Sequence, residues 1–583
     1  MSNNHEGAVG WASWEDSISE VGWFKFHVET DDKYSDSDQF RCAGALDGYL
    51  GQNRIYQRYH LYKDMMNLPR DEPFPAKWEA WMEENLKFTR DSVANNSNDK
   101  YWESIGAFLS QFDGLVEGYN LAASDNEKLR KMDLLFIQAV GDVYDLETVW
   151  DGNYNELHHL ECSGLVALTE NYSELFFGQD AWSSFQKMHQ VLKEYHIRSR
   201  IHKAKRVAIS TRMGALASSD DFWLTDAGLM VLETTNNNFN VSLYDRVNTS
   251  SILTWLRVLH ATWSSDSGEE WSKEFTRLQS GTYNNQYVVV DSKRFIPGER
   301  PTSGLLWVVE TMPGIERMAD ATELLAERRW FPSINTPWFE DIFNIAGYPE
   351  KIAEKGDLGD YYSYYDSARF KIFAREAPKV KDVEDFKRVM RFNRYKDDEY
   401  GHGDPGQMIL ARYDLRSDCP YGKAAAFGGL DTKVASAIEA LNNLSFHAIG
   451  SPEHEYNAPW AFGEGQFADV KYDGLPRVWD FDWIKFEADN FSRCGQYKSR
   501  DECAVDRCGW CTFSDTCMDG TAQGPIGAKC EDGWQYYTPL QSWAVPVIAS
   551  SASIIVAFVG VIYILAYMQW RKKSQNEAVY DAV

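Results

Sequence analysis

Between Trp543 and Trp570 the chain runs without one charged residue, and Val547–Met568 is apolar enough to cross a bilayer, which takes about 20 residues. Trp543 and Trp570 stand where interfacial aromatics belong, and Arg571, Lys572 and Lys573 follow at once. Basic residues stay cytoplasmic, so the tail is expected to face the cytosol and residues 1–542 the lumen or cell exterior. Six Asn-x-Ser/Thr sequons, at Asn95, Asn171, Asn240, Asn248, Asn443 and Asn490, fall on that side. The opening Met1–Gly7 has neither a basic n-region nor an apolar h-region. A lumenal domain needs such a leader, so a truncated or engineered start is expected.

The cysteines narrow the choice further. Cys42, Cys162 and Cys419 are scattered, whereas Cys494, Cys503, Cys508, Cys511, Cys517 and Cys530 crowd into one short segment. An even set in a loop-rich stretch reads as a disulfide framework in an oxidising compartment, and six cysteines allow fifteen pairings. A zinc site opened by Cys508 and Cys511 is disfavoured, because the segment has no His and no second CxxC. The whole 583-residue chain is 44% hydrophobic and 14% aromatic, which excludes a mainly disordered or coiled-coil protein. Its net charge of −28 repels nucleic acid and anionic surfaces. An acidic compartment would neutralise part of that charge.

Along the chain, Ala76–Phe88 reads as an aromatic-rich helix. Trp182, Phe185, Met188 and Leu192 recur at helical spacing and predict an amphipathic helix over Ala181–Tyr195. Phe222–Thr235 reads as two strands around a turn at Asp226–Gly228, and Tyr287–Asp291 and Gly304–Glu310 as two more. Tyr395–Gly406 is polar and reads as a loop. Helices mixed with hairpins predict a layered α+β fold. Gly401–Gly406 matches GxGxxG, but it follows a charged loop and contains Pro405, so it is no dinucleotide site. There is no GxSxG elbow, HExxH or P-loop, and Asp36–Asp38 lacks the rest of a calcium loop.

From Glu161 onward the chain resembles the phospholipase B-like family. The resemblance is carried, in order, by Cys162–Val166, Gly178–Trp182, Ser219–Trp223, Leu232–Thr235, Ser280–Tyr287, Met390–Asn393, Ala411–Leu415 and Gly428–Lys433, ending near Trp479. Gly22-Trp23 and Ala43–Gly48 extend it upstream, so that it covers about residues 20–485. It implies a four-layer αββα N-terminal nucleophile hydrolase sandwich and a precursor that cuts itself at the Glu161–Cys162 bond. Residues 1–161 would then be the N-terminal fragment and 162–487 the catalytic portion. Cys162 would serve as nucleophile, and its released α-amine, with a pKa of about 7.7–8.0, as general base. No triad, metal or cofactor is then required. Without the family context, a lone Cys before Ser163-Gly164 is more often a buried core residue.

Asn284 and Asn285 are the candidate oxyanion donors, although a turn between strands also favours Asn. Trp182 matches a family active-site position and equally suits a core. Arg412 is offered either as a bidentate donor to substrate or as a partner of Asp414. Gln179 stands where the family carries His. It can hydrogen-bond but cannot carry a proton.

Cys503–Cys511 with Cys517 resembles the cysteine-rich module of plexins, semaphorins and integrins, with six cysteines in place of the usual eight. It implies a stalk over residues 488–535, before a transmembrane helix at 543–570 and a tail at 571–583. Tyr580–Val583 looks like the tyrosine-based sorting signal read by clathrin adaptors, which suits an endosomal or lysosomal protein. The expected activity is cleavage of an acyl ester or amide of a lipid. The competing reading is a catalytically silent membrane glycoprotein or receptor that retains the fold.

Overall fold

A computed structural model describes residues 7–152, 162–218, 222–417 and 420–488 and, further on, 494, 499–503, 508–521, 524–525, 530 and 533–536. The chain divides into two compact units, Met1–Phe491 and Ser492–Val583. The predicted span 543–570 and the tail with Tyr580–Val583 lie outside the described residues, as do Glu161, Cys419 and Asn490. Among the described residues no helix is long and apolar enough to cross a membrane.

The strands of the first unit are β1 (Gly10–Ser17), β2 (Trp23–Thr30), β3 (Ser163–Leu168), β4 (Leu175–Ser184), β5 (Gln190–His196), β6 (Arg206–Arg212) and β7 (Phe222–Thr225). Then come β8 (Leu229–Thr235), β9 (Asn285–Asp291), β10 (Leu306–Met312), β11 (Ile315–Asp320), β12 (Trp330–Ser333), β13 (Phe427–Ser436) and β14 (Phe446–Ile449). They form a nine-stranded sheet, β1-β2-β5-β6-β7-β8-β9-β10-β11, and a six-stranded sheet, β12-β3-β4-β13-β14 closed by Ile484–Phe486. Only β2 and β5 pair in parallel within them.

Two-residue alternation decides the layers. Met230 and Leu232 of β8 meet Val166 and Leu168 of β3 and Phe177 of β4 in one core between the sheets. The alternate residues Leu229 and Val231 face a helical layer instead. On the other sheet, Leu165 and Ala167 pack against Ile372, Phe373 and Phe386. Those three come from the helices Ala368–Glu376 and Val383–Met390. Helices therefore cover the outer face of each sheet, and strands such as β9 are buried on both faces. That double burial is why they read as continuous apolar runs.

The expected helix over Ala181–Tyr195 is not formed. Its residues end β4, make one 3-10 turn at Phe185–Lys187, and begin β5. The four residues that suggested one helical face go to three separate places. Trp182 joins Leu410 and Phe427, Phe185 and Met188 face the helical layer, and Leu192 enters the core between the sheets. Pairing of β4 on both sides, with β3 and β13, outweighs a spacing that a strand–turn–strand reproduces by accident. The hairpin at Phe222–Thr235 and the strands near 287 and 306 form as expected, and Ala76 opens a helix that runs to Asn95.

The helical layer on the nine-stranded sheet starts with α1 (Ile18–Val21), α2 (Asp36–Met65), α3 (Ala76–Asn95), α4 (Lys100–Ala122), α5 (Lys131–Gln138) and α6 (Val140–Asp151). The Ser35 side chain accepts from Asp38 N to start α2, and Asp99 accepts from Tyr101 N to start α4. α2 and α4 touch backbone to backbone. A Cβ on Gly44 would lie 1.8 Å from Gln111 O, and one on Gly114 2.0 Å from Arg41 O. Gly48 and Gly118, each four residues further along, are equally constrained by Leu115 O at 2.2 Å and Ala45 O at 1.9 Å.

In the second unit the disulfides are Cys494–Cys508, Cys503–Cys517 and Cys511–Cys530. They tie a hairpin of Cys508–Cys511 and Thr516–Thr521 to which Trp534–Tyr536 adds a third strand. Cys508 and Cys511 go to different partners, as a disulfide framework requires and a zinc knuckle forbids. Cys494, Cys508 and Cys517 lie within 4.8 Å of one another, but each is already in a disulfide.

Two outcomes follow from the first unit. Gly114→Ala should force α2 and α4 apart and cost roughly 3 kcal/mol of overpacking strain. Thermal melting of the intact protein checks this, and an unchanged melting temperature would show that the helices yield. Residues 7–152 also supply an edge of the nine-stranded sheet and much of its helical cover. If the chain is cut before Cys162, both pieces should co-elute in native gel filtration and separate only in denaturant.

Candidate functional site

Cys162 sits at the foot of β3, 2% exposed and outside any disulfide, with its backbone in the left-handed region at φ 92. A non-glycine residue there stores strain of about 1–3 kcal/mol and persists only where neighbours hold it. Arg369 is the principal holder. It lies in the first turn of the helix Ala368–Glu376, which Ser367 caps. Its Nη1 donates to Cys162 O at 2.7 Å, Asn335 Oδ1 at 2.9 Å and Ser163 Oγ at 3.2 Å. Its Nη2 donates to Ile334 O at 2.7 Å. Burial lowers the Arg369 pKa, against the opposing pull of Tyr361, Tyr413 and Cys162.

Asn335 carries the clamp across to the other sheet. Its backbone is also left-handed, at φ 60. Its Nδ2 donates to Thr235 O at 2.7 Å and its N–H to Thr234 Oγ1 at 3.1 Å. The Tyr348 hydroxyl donates to Asn335 O at 2.9 Å and accepts from Asn237 N at 3.0 Å. The ends of β3, β8 and β12 thus meet around Cys162. Neither Arg369 nor Asn335 announces itself in the sequence. Each stands in a stretch that carries no recognisable motif, and only the topology brings it to Cys162.

The other candidates are divided by the structure. Trp182 lies under the Arg369 guanidinium, with 4.6 Å from ring centre to guanidinium carbon. Its indole N–H has no hydrogen-bond partner among the described residues. Gln179 is buried on β4 opposite Gly164, with Nε2 3.5 Å from Glu233 O and Oε1 unpartnered. Arg412 is taken up by the second of its two candidate partners. Its Nε and Nη2 donate to Asp414 at 2.8 and 2.7 Å, and Nη1 donates to Glu453 O and to Ala458 O. That leaves Arg412 bracing the chain around 453–458 instead of offering a fork to a ligand.

Asn284 and Asn285 also separate. Asn284 Nδ2 donates to Gly281 O at 2.9 Å and Asp145 Oδ2 at 3.2 Å. Asn285 begins β9 opposite Thr235, against the Tyr287 hydroxyl at 3.1 Å. With its amide turned to satisfy both neighbours, it accepts from that hydroxyl and donates to Glu233 Oε2 at 3.2 Å. The Ser280–Asn285 segment rests on α6, which presents two buried carboxylates one turn apart. Asp142 accepts from Thr282 Oγ1 at 2.6 Å and Thr254 N at 3.0 Å. Asp145 accepts from the Tyr244 hydroxyl as well as from Asn284.

Burial pushes the Asp145 carboxyl up to about 7, against hydrogen bonds from Tyr244, Tyr283 and Asn284. A carboxyl whose folded pKa is raised contributes stability that is fully present below its unfolded pKa, near 4. That contribution is lost as pH rises through about 7. Asp145→Asn keeps the shape without the titration. Its melting temperature should therefore gain on wild type from pH 5 to pH 8, a linkage of about 3 kcal/mol over that range. Parallel melting curves across that range would rule the account out.

The family model described as Phospholipase B matches residues 10–486. Phospholipase B-like protein B of Dictyostelium discoideum is 34% identical over 503 residues, covering 83% of this chain and 86% of that protein. Phospholipase B-like 1 of Rattus norvegicus is 31% identical over 488 residues, covering 81% and 86%. Among solved structures, a mutant conjugated bile acid hydrolase from Clostridium perfringens aligns at a TM-score of 0.30 and 11% identity. That alignment covers 55% of this chain and 97% of the other, too distant a likeness to bear on the site. The length of the matches to the phospholipase B proteins, through both sheets and every site residue described above, shows that the chain belongs to the phospholipase B-like family.

Proposed function

We propose that the chain is a self-processing cysteine N-terminal nucleophile hydrolase that cleaves acyl ester or amide bonds of lipids. The observation that carries the reading is the strained, buried backbone of Cys162 at the start of β3, clamped through its carbonyl by Arg369. The order helices, sheet, sheet, helices supports an αββα sandwich of that class. The names of the relatives support a lipid hydrolase.

In maturation the Cys162 thiol attacks the Glu161 carbonyl carbon. The peptide bond gives way to a thioester, and water hydrolyses that ester to leave a new α-amino group on Cys162. The amine then takes the thiol proton, and the thiolate attacks the substrate acyl carbon. The leaving group departs with the proton, and water releases the acid from the enzyme. Fixing the Cys162 carbonyl keeps the thiol and amine in one geometry through both rounds, which is the benefit of preorganisation.

Oxyanion stabilisation is worth roughly 3–4 kcal/mol per donor. Asn285, paired with Thr235 beside the Asn335 contact, is better supported for that role than Asn284, which Asp145 and Gly281 hold. Trp182 and Gln179 form the adjoining wall of the substrate site. Residues 543–570 anchor the enzyme in the membrane, and Tyr580–Val583 directs it to endosomes or lysosomes. The three disulfides and the sequons support a lumenal position.

Protein expressed with a working leader should yield a fragment whose N-terminal sequencing begins at Cys162. Cys162→Ala should remain uncut and lose acyl hydrolysis while melting as the wild type does. An Ala variant that hydrolyses normally would remove Cys162 from the mechanism.

A further inference from the structure

The ladder between β8 and β9 runs one residue past its last strand pair, with Asn236 N donating to Asn284 O at 2.8 Å. Asn236 therefore faces the same side of the sheet as Thr234. The Thr234 hydroxyl meets Ser333 Oγ of the other sheet at 2.8 Å, and Ser333 in turn pairs with Gly164. Two residues back from Gly164 is Cys162, and the carbonyl between Thr234 and Asn236 is the one that holds Asn335. Asn236 thus lies at the level of Cys162, on the face that looks toward the second sheet.

Asn236 and, two residues on, Asn238 are both 1% exposed. Among the described residues no group partners the amide oxygen or the amide nitrogen of either. Buried polar atoms are nearly always paired, so an unmatched amide at the level of the nucleophile, followed two residues on by a second, marks a place for a ligand. The chemistry of that ligand follows from the atoms. Whichever way an Asn amide is turned, it presents one donor and one acceptor. The Trp182 N–H adds a donor, and Gln179 Oε1 an acceptor. Arg369 already bonds Cys162 O, Ser163 Oγ, Asn335 Oδ1 and Ile334 O, and the unpartnered atoms of Asn236, Asn238, Trp182 and Gln179 are all uncharged, so the site is matched to a neutral group.

An ester offers these atoms only acceptors and leaves the carboxamide oxygens unpaired. A secondary amide offers both a carbonyl and an N–H. We infer that the site selects an acylated amine over the corresponding ester, with Asn236 and Asn238 reading the amide N–H. This rests on Cys162 being the nucleophile. The S–acyl bond forms, the C–N bond breaks, and the amine leaves with the proton taken from the thiol. Water then frees the fatty acid and regenerates the thiol. A site whose buried acceptors need a donor rejects an analogue that lacks it.

The test compares N-lauroylethanolamine with 2-hydroxyethyl laurate, which differ only in N–H against O, on processed wild type, Asn236→Ala, Asn238→Ala and Cys162→Ala. Each Asn variant should lower the amide-to-ester ratio of kcat/KM by about tenfold, the loss of one hydrogen bond. On wild type, where folding is not at issue, N-lauroyl-N-methylethanolamine should be cleaved about tenfold less efficiently than N-lauroylethanolamine. Unchanged ratios with an inactive Cys162→Ala would overturn the selectivity alone and leave the two amides as solvated structural groups. Wild type that cleaves the ester and spares the amide would do the same. Full activity in Cys162→Ala, or a processed wild type that cleaves neither substrate, would overturn the nucleophile as well.

Discussion

A single buried guanidinium holds the site together. Arg369 binds two carbonyls, a hydroxyl and an amide oxygen, all uncharged, while its flat face rests on Trp182. A buried charge with neutral partners is tolerated only when its geometry is complete, because any unmade bond leaves the ion poorly solvated. That demand fixes the start of β3, the left-handed turn at Asn335 and the first turn of the helix Ala368–Glu376 relative to one another. The strained backbone of Cys162 is one more element that the clamp over-determines.

The same reasoning connects the N-terminal region to the chemistry. The α6 helix ends at Asp151, before the undescribed segment 153–161 that leads to Cys162. Its two carboxylates take up the donors of the Ser280–Asn285 loop. Both are pushed toward their neutral forms by burial. An acidic surrounding suits that arrangement, since protonated carboxyls need no counter-ion inside. The first 152 residues are thus part of the site's support as well as of its sheet.

Much of the strand content could be read directly. Val288–Val290 and Met230–Leu232 are apolar because both sheet faces are covered, and the turn at Asp226–Gly228 stops the second cleanly. The stretch Ala181–Tyr195 could not be read so. Its periodicity is a property of where three different cores happen to take a residue, and one-dimensional spacing does not distinguish that from a helix face. Arg412 shows a related difficulty. Its candidate partner Asp414 was visible in the chain, but only the closeness of Glu453, Ala458 and Asp414 decides between a ligand fork and a brace.

By itself the sequence determined the apolar runs that become buried strands, the disulfide character of the C-terminal cysteines and, through its ordered motifs, the family and the candidate nucleophile. These are local or additive properties, set by side-chain type and short spacing. The tertiary structure alone decided which cysteines pair, that Arg369 and Asn335 converge on Cys162 from 207 and 173 positions away, and that the side-chain amides of Asn236 and Asn238 are buried with no hydrogen-bond partner among the described residues. Each of those depends on which strand ends meet. Such meetings are chosen by the packing of whole layers, for which no stretch of the chain carries a local signal.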